Sequence, residues 1–172
     1  MMRRNATMRA DFTLYTPEYI SGVMSLRKPQ KKSLEILDII VNSVNLKKGM
    51  NLQAVLGAVK ALYPTCTDFE RDFMSLTFAL ATGVGKTRLM GAFIAYLYTQ
   101  HNIKNFFVVA PNTTIYNKLC RDLNDNNSPK YVFRGLSCFV NAPQVITGED
   151  YRSKPLSLFQ SEVRIFVFNI SK

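Results

Sequence analysis

Lys86 and Thr87 close a glycine-rich turn, Ala81-Thr82-Gly83-Val84-Gly85-Lys86-Thr87, and these are the residues whose types and spacing point most directly to chemistry. Glycines at two alternate positions free the backbone to curl, so that successive N–H groups face one concavity. A helix starting at such a turn adds the partial positive charge of its N-terminus. Lys86 is then placed to reach the β- and γ-phosphates of a nucleoside triphosphate, and the Thr87 hydroxyl to meet Mg²⁺. Thr82, Gly83, Val84 and Gly85 complete the candidate phosphate cradle. The full phosphate-loop pattern asks for glycine at position 80, where Leu80 stands. The plain alternative is a tight turn with Lys86 as a solvated surface charge. Its flanking segments speak against that, because such a loop binds phosphate when it joins a strand to a helix.

The elements needed to hold this loop are legible around it. Ser75-Leu76-Thr77-Phe78-Ala79-Leu80 is predicted as a buried strand entering the loop, and Leu89, Phe93, Tyr96 and Leu97 as the apolar face of the helix leaving it. Upstream, Leu34, Leu37, Ile40 and Val41 recur at helical spacing over residues 29–44, with Pro29 in the first turn. Leu52, Val55, Leu56 and Val59 mark a second helix, which Pro64 ends. Downstream, Asn105–Ala110 and Val163–Asn169 are continuous apolar runs of the kind that parallel strands buried on both faces produce. Shorter strands are predicted at 131–134, 138–140 and 144–147, and a helix follows Pro111-Asn112-Thr113-Thr114 as far as about Leu123. Residues 1–25 show no clear period and read as a loosely packed lead-in. Strands alternating with helices predict an open, mostly parallel α/β sheet.

The chain has 172 residues, 47% of them apolar, which is ample for a packed core. It contains no run of about 18 apolar residues, and its basic N-terminus lacks the apolar segment of a signal peptide. The three cysteines (Cys66, Cys120 and Cys138) fit neither a disulfide framework nor a zinc site. A cytoplasmic protein with no membrane partner is expected. The net charge is +10, with basic clusters at Arg27-Lys28, Lys31-Lys32 and Lys47-Lys48, and suits a polyanionic partner. A solvated helix face is the alternative for any single pair. His101 follows a helix in a polar turn, so a cap or surface role is expected. Tyr131 and Phe133 offer stacking surfaces, although packing is the simpler use.

Three segments in order resemble the superfamily-two helicases. Leu26-Arg27-Lys28-Pro29-Gln30 looks like the motif that opens many of them, Ala81–Thr87 resembles their motif I, and Phe107-Val108-Val109-Ala110-Pro111-Asn112-Thr113-Thr114-Ile115 their motif Ia. The wording of the last two is most similar to the restriction (Res) subunit of type III restriction-modification enzymes, over about residues 26–172. This resemblance implies a three-layer, mostly parallel sheet of the RecA-like P-loop NTPase type. It also implies ATP and Mg²⁺ as cofactors, double-stranded DNA as substrate, and a modification methyltransferase subunit as partner. Gln30 is implied to read the adenine edge, since an amide matches one donor and one acceptor; the alternatives are an exposed Gln at a helix start, or Gln53 in its place. Pro111, Asn112, Thr113 and Thr114 are implied to contact a nucleic-acid phosphate, beside the ordinary reading of a helix cap.

One departure bears on activity. Helicase-like ATPases need an acidic box after a later strand, and the chain has no Asp-Glu pair. Glu149-Asp150 is reversed and follows Thr147-Gly148, a turn, so it does not serve. Residues 26–172 are therefore expected to form the front part of a first motor lobe, an incomplete one that hydrolyses almost no ATP alone. The competing classes are a small-molecule or nucleotide kinase and a non-catalytic nucleic-acid-binding module. The first lacks its acidic acceptor segment and Arg-rich lid, and the second is disfavoured by the intact Gly85-Lys86-Thr87.

Overall fold

The computed structural model describes residues 14–44, 49–150 and 162–170. The Lys47-Lys48 cluster, the basic N-terminal segment and residues 171–172 lie outside them. Among the described residues five α-helices, α1 (Pro17–Val23), α2 (Lys28–Ser43), α3 (Leu52–Leu62), α4 (Lys86–His101) and α5 (Thr113–Asn124), accompany three strands, β1 (Asn105–Ala110), β2 (Gln144–Thr147) and β3 (Arg164–Asn169). The strands form one parallel sheet in the order β1-β3-β2.

Local chemistry explains the helix boundaries. Thr16 Oγ1 accepts the Tyr19 N–H at 3.2 Å and Pro17 opens α1, so Pro17–Val23, within the segment that showed no period, form a helix. The described part of that segment, from residue 14 on, is not loosely packed. Ile20 and Met24 are fully buried, and the Tyr15 hydroxyl meets Ser137 Oγ at 2.7 Å and accepts the Cys138 N–H at 2.9 Å. Seven residues are too few for periodicity to register in sequence, yet tertiary contacts hold them. Asn51 caps α3 through the N–H groups of Gln53 and Ala54. Pro29 falls in the first turn of α2 as expected.

Helix α4 is the central element. The expected single apolar face is too narrow a description, because Leu89, Gly91, Ala92, Ile94, Ala95, Tyr96, Tyr98 and Thr99 are all buried. Small residues at 91, 92 and 95 let neighbours approach closely. A Cβ placed on Gly91 would stand 2.1 Å from Val132 Cγ1. At the far end of α4, the Tyr96 hydroxyl donates to Asp38 Oδ1 of α2, Asn42 Nδ2 donates to the same carboxylate at 2.8 Å, and His101 Nε2 lies 3.3 Å from the Tyr96 oxygen. Burial and the Asp38 charge together raise the Tyr96 pKa, so the phenol stays protonated and keeps donating. His101 is thus half-buried beside a network and is more than a surface residue.

The sheet departs from expectation in three ways. Residues 75–80 do not pair with any described strand; Leu76 and Phe78 pack on the core, and the Phe78 ring meets Phe93 edge-on at 4.9 Å. Side-chain anchoring thus fixes the approach to the loop without a hydrogen-bonded ladder. Residues 131–134 and 138–140 form turns and a 3-10 segment at Ser137–Phe139 instead of strands. Tyr131 and Phe133 are buried there, Tyr131 donating to the Phe139 carbonyl at 3.1 Å, so neither offers a stacking surface. Finally, β1 and β3 are not covered on both faces, although β2 is, with Gln144, Val145 and Ile146 all buried. Val108, Ala110, Val145, Ile165 and Val167 join one core with α1, α2, α4 and α5. On the other face Phe107 is 69% exposed and Val109 58%, with Phe107 stacked on Phe166 at 4.8 Å. The apolar runs reflect that stacked ladder as well as the core, and this face is open at Phe107 and Val109 while Ile146 of β2 is buried on it.

Two outcomes are expected. Gly91→Ala should lower stability in urea unfolding by about 1–3 kcal/mol, overpacking outweighing the helix propensity gained, whereas Phe107→Ser on the open face should stay within about 0.5 kcal/mol. Burial holds the His101 pKa below its usual 6.5, partly opposed by Asp38. The unfolded chain therefore takes up that proton first, and thermal stability should fall as pH drops below about 6.5; His101→Gln should flatten that part of the profile.

Candidate nucleotide site

The glycine loop adopts the conformation its residues allow. Gly83 and Gly85 have φ of 79° and 96°, the left-handed region, and Gly85 is the residue from which α4 starts. No side chain caps this helix. Arg88 and Leu89 donate to the Gly85 carbonyl, while the N–H groups of Gly85, Lys86 and Thr87 make no hydrogen bond among the described residues. These are the unpartnered donors a helix start presents. An anion is the natural acceptor. Lys86 Nζ rests 3.2 Å from the Ala81 carbonyl, exposed to solvent, and Thr87 is half-buried.

The residues present fit a polyphosphate well and a divalent cation partly. Thr87 supplies one oxygen, suited to Mg²⁺ that takes its other ligands from phosphates and water. Among the described residues no cluster of three or more His, Cys, Asp or Glu could hold a metal by itself. Glu149 and Asp150 lie in a turn after β2 with Thr147 Oγ1 donating to Asp150 at 3.0 Å, in keeping with their rejection as an acidic box.

Gln30 behaves differently from a free base reader. It is 1% exposed, its Oε1 accepts the Arg27 N–H at 2.7 Å, and its Nε2 donates to the Gly85 carbonyl at 2.8 Å. Arg27 Nη1 donates to the Gly83 carbonyl at 3.0 Å. The start of α2 therefore grips the loop at both of its left-handed glycines. Sequence reasoning missed Arg27 in this part, although it stands in the same Leu26-Arg27-Lys28-Pro29-Gln30 segment. One amide hydrogen and one lone pair of Gln30 remain, and the side chain borders a cleft of about 420 Å³ beside the loop. Gln53 is exposed on α3, which packs on the far end of α2, and does not border that cleft.

Pro111–Thr114 are exposed at the end of β1. Asn112 Oδ1 accepts the Ile115 N–H at 2.9 Å, so the cap is formed, and Asn169 Nδ2 of β3 donates to Thr113 Oγ1 at 3.1 Å. This places the turn at the carboxyl ends of the strands, where open α/β sheets bind ligands. Cys66, Cys120 and Cys138 form no disulfide among the described residues, and burial pushes the Cys138 thiol up to about 11.

A parallel sheet with a glycine loop at the head of its central helix is compatible with part of a RecA-like domain. Residues 23–172 match the family model described as Type III restriction enzyme, res subunit. The chain belongs to that family, a hydrolase- and helicase-related one whose helicase-like ATPases generally use ATP and Mg²⁺. Comparison with curated proteins and with solved structures gave no match.

A Cβ on Gly85 would stand 2.8 Å from Gln30 Nε2, whereas one on Gly83 would meet nothing within 4 Å. Gly85→Ala is therefore expected to perturb the loop more than Gly83→Ala, which carries only the backbone penalty of about 1 kcal/mol. Urea unfolding of the two variants, read beside Gln30→Ala, checks this ranking.

Proposed function

We propose that residues 26–172 form the ATP-binding part of a DNA helicase- or translocase-like subunit of a type III restriction enzyme. In the full protein the loop would couple ATP hydrolysis to movement on double-stranded DNA beside a methyltransferase subunit, in the cytoplasm. The observation that carries this reading is the row of N–H groups on Gly85, Lys86 and Thr87 that make no hydrogen bond among the described residues, at the start of α4 where the second of two left-handed glycines stands. Thr82 and Val84 complete the loop around them. Family membership supports the choice of ATP over other phosphates.

In this reading each residue has a bounded task. Lys86 leaves the Ala81 carbonyl and neutralises the outer phosphates, and the backbone donors hold their oxygens. Thr87 gives its hydroxyl to Mg²⁺, which when bound would offset phosphate charge. Gln30 reads the adenine edge with its remaining donor and acceptor while its other pair keeps hold of Arg27 and Gly85, so base recognition and loop geometry share one side chain. Pro111, Asn112, Thr113 and Thr114 present backbone and hydroxyl groups to a DNA phosphate without reading sequence. Turnover needs an acidic residue to orient water, and these 172 residues contain no Asp-Glu pair for it. Among the described residues no helix is long and apolar enough to cross a membrane.

Fluorescent ATP-analogue titration tests the reading. Mg²⁺-dependent binding is expected in the wild-type chain, with Lys86→Ala weakening it by about tenfold or more, the loss of one charge-assisted contact worth about 1.5–3 kcal/mol. Thr87→Ala should lose the Mg²⁺ dependence. Equal affinity of wild type and Lys86→Ala would sink the proposal.

A further inference from the structure

A second cavity, of about 480 Å³, lies between α2, α3 and the stretch that leads from α3 towards the glycine loop. None of the residues given a part in nucleotide or DNA binding above lines it. Ile40, Val59 and Phe69 are buried against it, and Ile36 and Leu76 pack half-buried beside them. Its volume is in the range that accepts an organic ligand or a few side chains of a partner.

Ser75–Ala79 form one border of this cavity. Thr77 and Ala79 are exposed while Leu76 and Phe78 are half-buried, the alternation that an extended segment produces. Among the described residues no backbone N–H or carbonyl of Ser75–Ala79 takes part in a hydrogen bond. An extended row of idle donors and acceptors is a template for another strand. Asp68 and Glu70 line the same cavity, both exposed, and neither forms an ion pair among the described residues. The Asp68 carboxylate accepts the Glu70 N–H at 2.8 Å, and the Glu70 carboxylate makes no hydrogen bond among the described residues. In a chain of net charge +10, two carboxylates without a cation make this mouth locally negative.

We infer that this cavity and the backbone beside it bind an extended peptide segment of a partner protein. The segment adds as a strand to Ser75–Ala79, sets an apolar side chain on Ile40, Val59 and Phe69, and brings a Lys or Arg to Asp68 and Glu70. A small amphiphilic amine would use the apolar floor and the carboxylates but leave the backbone row idle. A chain with amides of its own uses all three features. The inference stands apart from the nucleotide reading, since no residue of that site enters it.

The test uses the whole chain and a labelled heptapeptide, Lys-Thr-Leu-Thr-Leu-Thr-Lys, followed by fluorescence anisotropy and by amide NMR. Saturable binding is expected, with shifts among the Ser75–Ala79 amides. Two further peptides keep the side chains but carry N-methyl groups on one or the other set of alternate amides. One of them should bind about tenfold more weakly, having lost the donors of the pairing edge, and the other should bind like the parent. A Glu-ended counterpart should bind more weakly than the Lys-ended peptide. Asp68→Asn/Glu70→Gln, at two exposed positions, should weaken the Lys-ended peptide about threefold and abolish that preference. No saturable binding by wild type, or shifts that spare Ser75–Ala79, would overturn the inference. Equal affinity of the two methylated peptides would overturn it as well, leaving a pocket for side chains alone. So would a preference for Lys ends that survives in the double variant.

Discussion

The amide of Gln30 joins the start of α2 to the Gly85 carbonyl, and with the Arg27–Gly83 contact it fixes the backbone on which everything at this site depends. A loop with two left-handed glycines has many accessible conformations when free, and ordering it costs roughly 1–2 kcal/mol per residue. Two carbonyls bonded from a buried side chain and a guanidinium offset part of that cost before any ligand arrives. The carbonyls of Gly83 and Gly85 are the groups occupied, and the N–H groups of Gly85, Lys86 and Thr87 make no hydrogen bond among the described residues. Preorganisation of that kind lets a ligand's phosphates replace water without first reshaping the loop.

The clamp works because α2 and α4 are held against each other over their whole length. Near the loop the contact is Gln30 and Gly85; at the far end it is Asp38 and Tyr96, with Asn42 and His101 completing the network. Between them Leu34, Leu37 and Val41 share a core with Ala92, Ala95 and Tyr96. Helix α4 can be buried nearly all round because α1, α2 and the turn at 131–133 converge on it, the last at Gly91. The loop is therefore mounted on the most buried of the described helices, and a shift of either helix along the other would be felt at Gly85.

Much of this was legible in the sequence where a single physical rule governed. Helical spacing located α2 and α3, the apolar run located β1, and the glycine spacing located the loop. The errors arose where tertiary contacts override local pattern. Ser75–Leu80 has the composition of a strand, but Phe78 and Leu76 anchor it through side chains. Phe107 reads as core and is exposed, since composition does not tell which of two sheet faces a helix covers. The helix at 17–23 was too short to show a period, and Tyr15 ties it down from 122 residues away in sequence. Gln30 was picked out for its amide, yet its hydrogen bonds to Arg27 and Gly85 belong to the folded geometry and leave no trace in residue spacing.

The most direct measurement is an amide NMR titration of the 19.6 kDa chain with Mg²⁺ and a non-hydrolysable ATP analogue. The expected result is that the N–H resonances of Gly85, Lys86 and Thr87 shift together and saturably, with those of the open sheet face at Phe107 and Val109 unmoved. The contradicting result is a nucleotide-dependent shift elsewhere, or none, while those three amides stay where they are in the free protein.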